Sequence, residues 1–360
     1  MRIAIDASRC TVPNPTGTER YALELIRAII RRNSQHNLIL YFRDQPAADL
    51  FPSSNYIIQR VIPIRRAWTH IRFAAALWAE RPDVTFVPAH TLPVGFPGRA
   101  VVTIHDLGYR YFPQAHPARQ RQYLDLTTRY SAARASVILA DSQATAHDLT
   151  QFYGTSADKI RVLYPGVTPL PSGDVSVMRQ RYHLPEQYWL FIGTLQPRKN
   201  IARLVGAFRQ WQHTHPNDST GLVLAGGQGW LYDPTWAEGV AGVTITGYIE
   251  EADKGTLYAG ARALVFPSLY EGFGFPVIEA MHAGTPVIAS NTSSLPELVG
   301  EAGLLVDPLN AGSIAGAMAR LSDDPSLADR LRSAGREQAA HFTWEQAADN
   351  ALTALEHAAR

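Results

Sequence analysis

The sequence predicts an α/β protein made of two Rossmann-like domains, each built on a parallel sheet. Three observations carry that expectation. Short apolar runs alternate with longer segments of helical period through almost the whole chain, which is the rhythm of βα units. The runs are continuous in Val, Ile and Leu, as strands covered by helices on both faces should be. At roughly 150 residues per domain, 360 residues make about two domains, each able to bury a full core.

Taken in order, the strands expected in the first block are RIAIDA, LILYF, YIIQRVI, VTFVPA, AVVTIHD, SVILADS and IRVLYPG, and residues 1–167 form an N-terminal domain. Residues 168–187, rich in Pro, Gly and Ser, read as a linker. Residues 188–342 repeat the rhythm as a C-terminal domain, with YWLFIGT, GLVLAGG, VTITGYI, ALVFPS, PVIAS and GLLVDP. From about residue 311 two or three amphipathic helices follow. The last starts on a capping-box pattern at Thr343 and Gln346, and its stripe of Ala347, Ala348, Ala351, Leu352 and Leu355 must cover an apolar surface.

Composition narrows the function classes. With 46% hydrophobic and 18% charged residues the chain is not disordered, and a net charge of +1 lacks the excess of a general nucleic-acid binder. The charge is unevenly spread: residues 1–180 hold 21 basic and 13 acidic side chains, residues 181–360 hold 12 and 19. The lone Cys10 excludes an internal disulfide framework and reads as a small buried hydrophobe. The opening MRIAIDAS is too short an apolar run for a signal peptide, and no stretch of about 18 apolar residues occurs. The expected location is the cytoplasm.

The segment ALVFPSLYEGFGFPVIEAMHAGTPVIAS carries the most chemistry. A strand, residues 263–268, runs into a loop with Glu271, Gly272 and Gly274, and Pro276 suits the first turn of the helix that follows. The glycines let backbone N–H groups approach a ligand at the helix start, where an anion belongs. Glu271 and Glu279 frame the site, and carboxylates accept pairs of hydrogen bonds from vicinal hydroxyls, so one suits a sugar and the other a ribose. The plainer alternative is a glycine-rich turn whose Glu caps the helix. In FIGTLQPRKN, Arg198 and Lys199 are adjacent cations at a strand's carboxyl end, suited to a diphosphate, although such pairs are often mere surface.

These segments resemble retaining glycosyltransferase family 4, and the fit is closest to its mannosyltransferase-B-like branch. EGFGFPVIE is similar to the family's Glu-x7-Glu motif and GTLQPRKN to its diphosphate-binding turn. PTGTERYALEL, TIHDL, ADS, YPGV, AGGQG, GYI and SLPELVG match in order over nearly the whole chain. The resemblance implies the GT-B fold, two Rossmann-like domains facing across a cleft, with donor bound in the C-terminal domain, acceptor in the N-terminal one, and the helix at about 343–360 joining the latter. It implies that Glu271, with the backbone of Gly272, Phe273 and Gly274, holds the donor sugar and β-phosphate, that Glu279 takes the ribose and that Glu297 lies near it. Arg198 and Lys199 would neutralise the leaving diphosphate, Gly17 would reach the phosphates, Gly247, Tyr248 and Ile249 would line the base, and His105 would sit beside the transferred sugar.

The expected activity is a retaining hexosyl transfer, most readily mannose from GDP-mannose, to a glycan or lipid-linked glycan in surface polysaccharide synthesis. Alternatives are a nucleotide-sugar 2-epimerase or hydrolase of the same fold, or a non-catalytic nucleotide-sugar binder. The chain has no Asp-x-Asp pair, so neither metal nor cofactor is expected. His90, Thr91 and Asp106, at or near strand ends, are acceptor-site candidates, and Asp141 and Ser142 read as caps of the next helix. The basic aromatic stretch from Arg60 to Arg81 is read as a solvated helix face with its aromatics in the core; contact with an anionic membrane is the other reading.

Overall fold

The computed structural model describes residues 1–13, 17–33, 35–115 and 117–360. The chain divides into two compact units, Met1–Gly166 with Thr343–Arg360, and Val167–Phe342.

The first unit holds a seven-stranded sheet: β1 (Arg2–Asp6), β2 (Asn37–Phe42), β3 (Ile57–Val61), β4 (Val84–Val87), β5 (Arg99–Ile104), β6 (Val137–Ala140) and β7 (Ile160–Val162). All pairings are parallel, in the order β3-β2-β1-β4-β5-β6-β7. The second holds six: β8 (Tyr188–Ile192), β9 (Gly221–Ala225), β10 (Val243–Gly247), β11 (Ala263–Phe266), β12 (Val287–Ser290) and β13 (Leu304–Val306), again parallel, as β10-β9-β8-β11-β12-β13. Each sheet grows outward from its first strand, then reverses and grows the other way. The reversal leaves a crevice at the carboxyl ends of the two central strands, β1 and β4 in one unit and β8 and β11 in the other.

All thirteen strands coincide with the expected apolar runs, with one physical exception to their uniform burial. Of the four edge strands β3, β7, β10 and β13, β3 and β10 are the least covered, and their residues are largely exposed or half-buried because each has only one neighbouring strand. The expected linker is corrected more strongly. Residues 168–187 belong to the second unit and include a helix, Val175–Tyr182, capped by Asp174 and anchored by buried Met178. Cys10, expected in a core, is only partly buried.

In the first unit one sheet face is covered by Trp68, Phe73, Leu77, Ala132 and Leu149 from the segments that follow β3, β5 and β6. The helix Trp344–Ala359 packs along the helix Gly17–Arg32 and against β4, β5 and β6. Its seam is mostly alanine, with Ala347, Ala348, Ala351, Ala354, Leu355 and Ala358 buried, which lets the backbones approach closely. Arg32 pairs with Asp349 and His36 with Glu356 along its rim, contacts worth little beside the apolar seam. Thr343 caps the helix by accepting from the Gln346 amide.

Gly166 sits where this helix begins. A Cβ there would lie 2.2 Å from the Trp344 backbone nitrogen and 2.6 Å from its indole Cγ. The first prediction follows from that contact. Gly166→Ala should destabilise the protein by about 1–3 kcal/mol, as overpacking does, and lower its urea midpoint; a midpoint equal to wild type would show that the helix start has room to give.

Candidate functional site

In the second unit the two central strands bring the expected residues together. β8 ends at Ile192 and the chain passes through a tight turn, Pro197–Lys199, before the helix Ile201–Thr214. β11 ends at Phe266 and leads through residues 267–274 into the helix Phe275–His282. Across this switch point the Glu271 carboxylate accepts from Lys199 Nζ at 2.5 Å and from Arg198 at 3.1 Å. Lys199 and Glu271 are both buried, and the Lys199 ammonium also lies 4.9 Å from the centre of the Phe266 ring. Arg198 further donates to the Tyr270 carbonyl. Lys199 is therefore buried and Arg198 half-buried, both held by the same carboxylate, so the pair is not mere surface.

The surrounding loop is pinned by short polar contacts. Asn200, in the left-handed region at φ 63°, donates to the carbonyls of Pro267 and Pro308 at 3.0 and 2.7 Å. Ser293 accepts from the Glu271 amide at 2.9 Å, and Ser294 donates to the carbonyls of Glu271 and Phe273. Gly274 takes φ 122° as the N-cap of its helix, whereas Gly272 has no such angle. A side chain at Gly274 would be strained and would meet Leu295 at 2.8 Å. The helix thus opens beside Glu271 with its amide end unencumbered by a side-chain cap.

The remaining donor-site candidates lie around the same sheet edge. Phe273 is buried. Glu279, half-buried in the helix, accepts from the Tyr258 hydroxyl at 2.8 Å. Glu297 lies in the first turn of Leu295–Val299 and is half-buried. Gly247, at φ 72°, ends β10, and its carbonyl accepts from the Gly226 amide at 2.8 Å. Tyr248 beside it is exposed and Ile249 is buried. The AGGQG loop after β9 is clipped to the loop after β8 through Gly193, Leu195, Gly227 and Gly229 backbone bonds. Gly226 is required there because a Cβ would stand 2.2 Å from the Gly193 carbonyl oxygen.

In the first unit the other candidates converge on β4, β5 and β6. His105, just past β5, is buried, and its Nδ1 lies 2.7 Å from Asp141 and its Nε2 3.3 Å from the Pro88 carbonyl oxygen. Its backbone amide donates to His90 Nε2 at 2.9 Å. Asp106 accepts from the Gly108 amide at 2.8 Å, and Thr91 is half-buried next to His90. Gly17 is exposed at the start of its helix, and Pro15 and Thr16 of the same motif lie outside the described residues. The expectation that Asp141 caps the following helix is corrected: Ser142 alone accepts from the Thr145 amide, which releases Asp141 to His105. Nothing in the local sequence signals that partnership, because it joins residues 36 apart through two adjacent strand ends.

Electrostatics distinguish the clusters. Burial pushes Glu271 towards protonation, but Lys199 and Arg198 more than offset it and hold its pKa at about 2, against an ordinary 4.5. Burial likewise works against a charged His105, and the charge and hydrogen bond of Asp141 overcome it, so the imidazole is raised above its usual range. Burial and the neighbouring His105 lower His90 to about 4. Among the described residues no group of three or more His, Cys, Asp or Glu is placed to hold a metal ion.

The second prediction concerns the buried carboxylate. A depressed folded pKa stabilises the protein above the unfolded value, so this contribution, about 3 kcal/mol at most, should be present at pH 7 and be lost as pH falls from about 4.5 towards 2. Lys199→Met leaves Glu271 with one cation and should cost about 3 kcal/mol at pH 7 in urea titrations. The gap from wild type should narrow below pH 4.5; a gap that is absent at pH 7, or constant with pH, would contradict the assignment.

Comparisons with known proteins give the family and the fold. The model of "Glycosyl transferases group 1" matches residues 178–338, and that of "Glycosyltransferase Family 4" matches residues 15–169. The O-antigen chain mannosyltransferase B of Escherichia coli is 30% identical over 94% of this chain and 95% of its own. Among solved structures, a sucrose-phosphate synthase from Thermosynechococcus elongatus superposes with a TM-score of 0.78 at 23% identity, over 99% of this chain and 98% of its own. An Anabaena protein, Alr3699/HepE, solved in complex with UDP-glucose, superposes with a TM-score of 0.73 at 18% identity, over 99% and 100%. The fold is GT-B, and the chain belongs to glycosyltransferase family 4 as a retaining glycosyltransferase.

Proposed function

We propose that the protein moves a mannosyl group from GDP-mannose, with retention, to a hydroxyl of a glycan or lipid-linked glycan during surface polysaccharide synthesis, without a metal ion or other cofactor. The observation that carries the reading is the Arg198, Lys199 and Glu271 cluster beside the start of the helix Phe275–His282. Breaking a glycosyl–phosphate bond concentrates negative charge on the leaving diphosphate, and preorganised cations with a helix N-terminus are the means of stabilising it. Glu271, kept ionised, suits the sugar hydroxyls or the positive charge that develops on the ring. Glu279, with Glu297 near it, is assigned to the ribose, and Gly247, Tyr248 and Ile249 to the base. The choice of mannose is supported by the mannosyltransferase relative. Intact cations and both carboxylates disfavour the non-catalytic binder.

A panel of UDP-, GDP- and ADP-sugars, assayed with and without chelator against a lipid-linked mannan acceptor, tests this. GDP-mannose should be turned over, unaffected by chelator, and Arg198→Ala should lose about 10²–10³ in turnover with unchanged folding. Near-wild-type turnover by that variant would remove the diphosphate role. Hydrolysis that ignores every acceptor would favour the hydrolase alternative.

We place the enzyme in the cytoplasm, peripheral at the inner membrane face. Among the described residues no helix is long and apolar enough to cross a membrane. The stretch from Arg60 to Arg81 buries Trp68 and Phe73, stacked 5.1 Å apart, but leaves Ile71 and Trp78 more than half exposed. Exposed Val94 and Tyr123 join them, because His70 bridges the Val94 amide and the Tyr123 hydroxyl. Arg65, Arg66 and Arg72 are exposed on the same stretch, and Arg119 on the helix Ala118–Arg134 that carries Tyr123, so apolar and basic groups are interleaved as an anionic bilayer requires. Vesicles containing a third phosphatidylglycerol should bind the protein at low salt and release it partly at high salt. Trp78→Ser with Ile71→Ser should weaken binding, and no binding at low salt would rule the surface out.

A further inference from the structure

His105 sits between a carbonyl oxygen, which can only accept, and the Asp141 carboxylate, which accepts while it is ionised. Its Nδ1 faces Asp141 Oδ2 at 2.7 Å and its Nε2 faces the Pro88 carbonyl oxygen at 3.3 Å. With Asp141 ionised, a neutral imidazole would turn a lone pair towards one of these oxygens, whereas the imidazolium donates to both; a neutral imidazole fits only where Asp141 itself carries the proton. His90 is constrained the opposite way. Its Nε2 accepts the His105 amide proton at 2.9 Å, so that nitrogen carries no hydrogen, and its ring lies 5.5 Å from the His105 ring, where a second cation would be repelled.

We propose that His105 is a permanent imidazolium in the working pH range, that Asp141 is the positioning residue that keeps it so, and that His90 is the neutral partner that fixes its backbone. This deepens the transferase reading of the same site and rests on it for the consequence: His105 serves as a hydrogen-bond donor and positive charge towards substrate, never as a base. The bond to Pro88 is the long one, near the outer limit for N–H···O, and is the one a substrate hydroxyl can replace without disturbing Asp141.

The groups that face His105 from each neighbouring element support this charge state. Asp141 stands just past β6; its second oxygen, Oδ1, is buried without a hydrogen-bond partner among the described residues, so burial raises its pKa, and the charge and hydrogen bond of His105 are what oppose that rise. From the helix Gly17–Arg32, Tyr21 packs edge-on at 4.8 Å; its hydroxyl, bonded to Thr103 at 3.2 Å, stays protonated because burial and Asp141 raise it well above 10. From the helix Gln143–Tyr153, Thr145 donates to the His105 carbonyl at 3.2 Å. Asp106, next in the chain, adds a second favourable carboxylate, and Arg9, after β1, acts with His105 against protonation of His90. The pKa directions are raised for His105 and lowered to about 4 for His90; Asp141 is itself raised by burial, against the charge of His105, and still starts from the ordinary carboxylate value below that of an imidazole.

The test is a histidine ¹⁵N titration of the whole chain without substrates, paired with the pH dependence of kcat. In the wild type both His105 nitrogens should report imidazolium at pH 7, while His90 stays neutral down to about pH 4, and kcat should fall only as pH rises through the His105 titration. Asp141→Asn keeps an acceptor oxygen for Nδ1–H but removes the charge. It should lower the His105 titration by about 1–3 pH units and move the basic limb of kcat down with it. Asp141→Glu should restore both in part. A neutral His105 in the wild type at pH 7 would overturn the proposal, even if Asp141→Asn failed to fold. So would an Asp141→Asn titration or kcat profile superposable on the wild type. If no sugar nucleotide is turned over, the functional reading fails, and the titration still decides the charge state.

Discussion

The second unit depends on one ion pair, Lys199 with Glu271, and the pair exists because the strand order reverses between β8 and β11. At that reversal the two connecting loops diverge to opposite faces of the sheet, and the crevice between them is closed by a buried contact 2.5 Å long. Two ions are costly to bury alone. Here the second cation, Arg198, the Phe266 ring and the backbone bonds made by Ser293 and Ser294 surround the pair, so neither charge is left uncompensated. Asn200 then ties the β8 loop to the carbonyls of Pro267 and Pro308. The helix starting at Phe275 is therefore aimed by contacts that do not need a ligand.

The same pair changes what the two cations can offer. Arg198 and Lys199 with Glu271 amount to one net positive charge, not two. A diphosphate entering this region would compete with Glu271 for donors already in use. Arg198 is better placed than Lys199 for that exchange, since a guanidinium has five N–H groups in a rigid fork and Arg198 is less deeply buried. Lys199 is better understood as the residue that keeps Glu271 ionised. The resemblance assigns both cations to the phosphate; the geometry divides their labour.

The strands and the Glu271 segment were legible because their signals are local. A parallel strand covered on both faces must be apolar at every position, and a Gly-Pro turn between strand and helix can be read residue by residue. The edge strands β3 and β10 escape the rule because they face solvent. The helix Val175–Tyr182 was hidden by the prolines and glycines just before it, although Asp174 is an ordinary N-cap. The role of Asp141 is hidden for a sharper reason: Asp141 and Ser142 are both good caps, only one serves, and the choice is made by a histidine just past the neighbouring strand. Likewise, spacing cannot tell that Lys199 reaches Glu271 and not water.

Charge makes the final connection between sequence and site. Divided by structural unit, the first carries 21 basic and 15 acidic side chains and the second 12 and 17. An acidic unit looks ill suited to the anionic donor proposed for it if charge is averaged. It is not, because the terms act at different ranges. Surface carboxylates beyond about 8 Å are largely screened at physiological salt, whereas contacts of about 3 Å in a buried loop are not. The local cations and the helix N-terminus therefore determine what binds at the carboxyl ends of β8 and β11, and the acidic surface acts only on the rate of approach. In the first unit the ranking is reversed. Its excess arginines lie largely on exposed segments, where a single charge is weak and only their sum is felt at a distance.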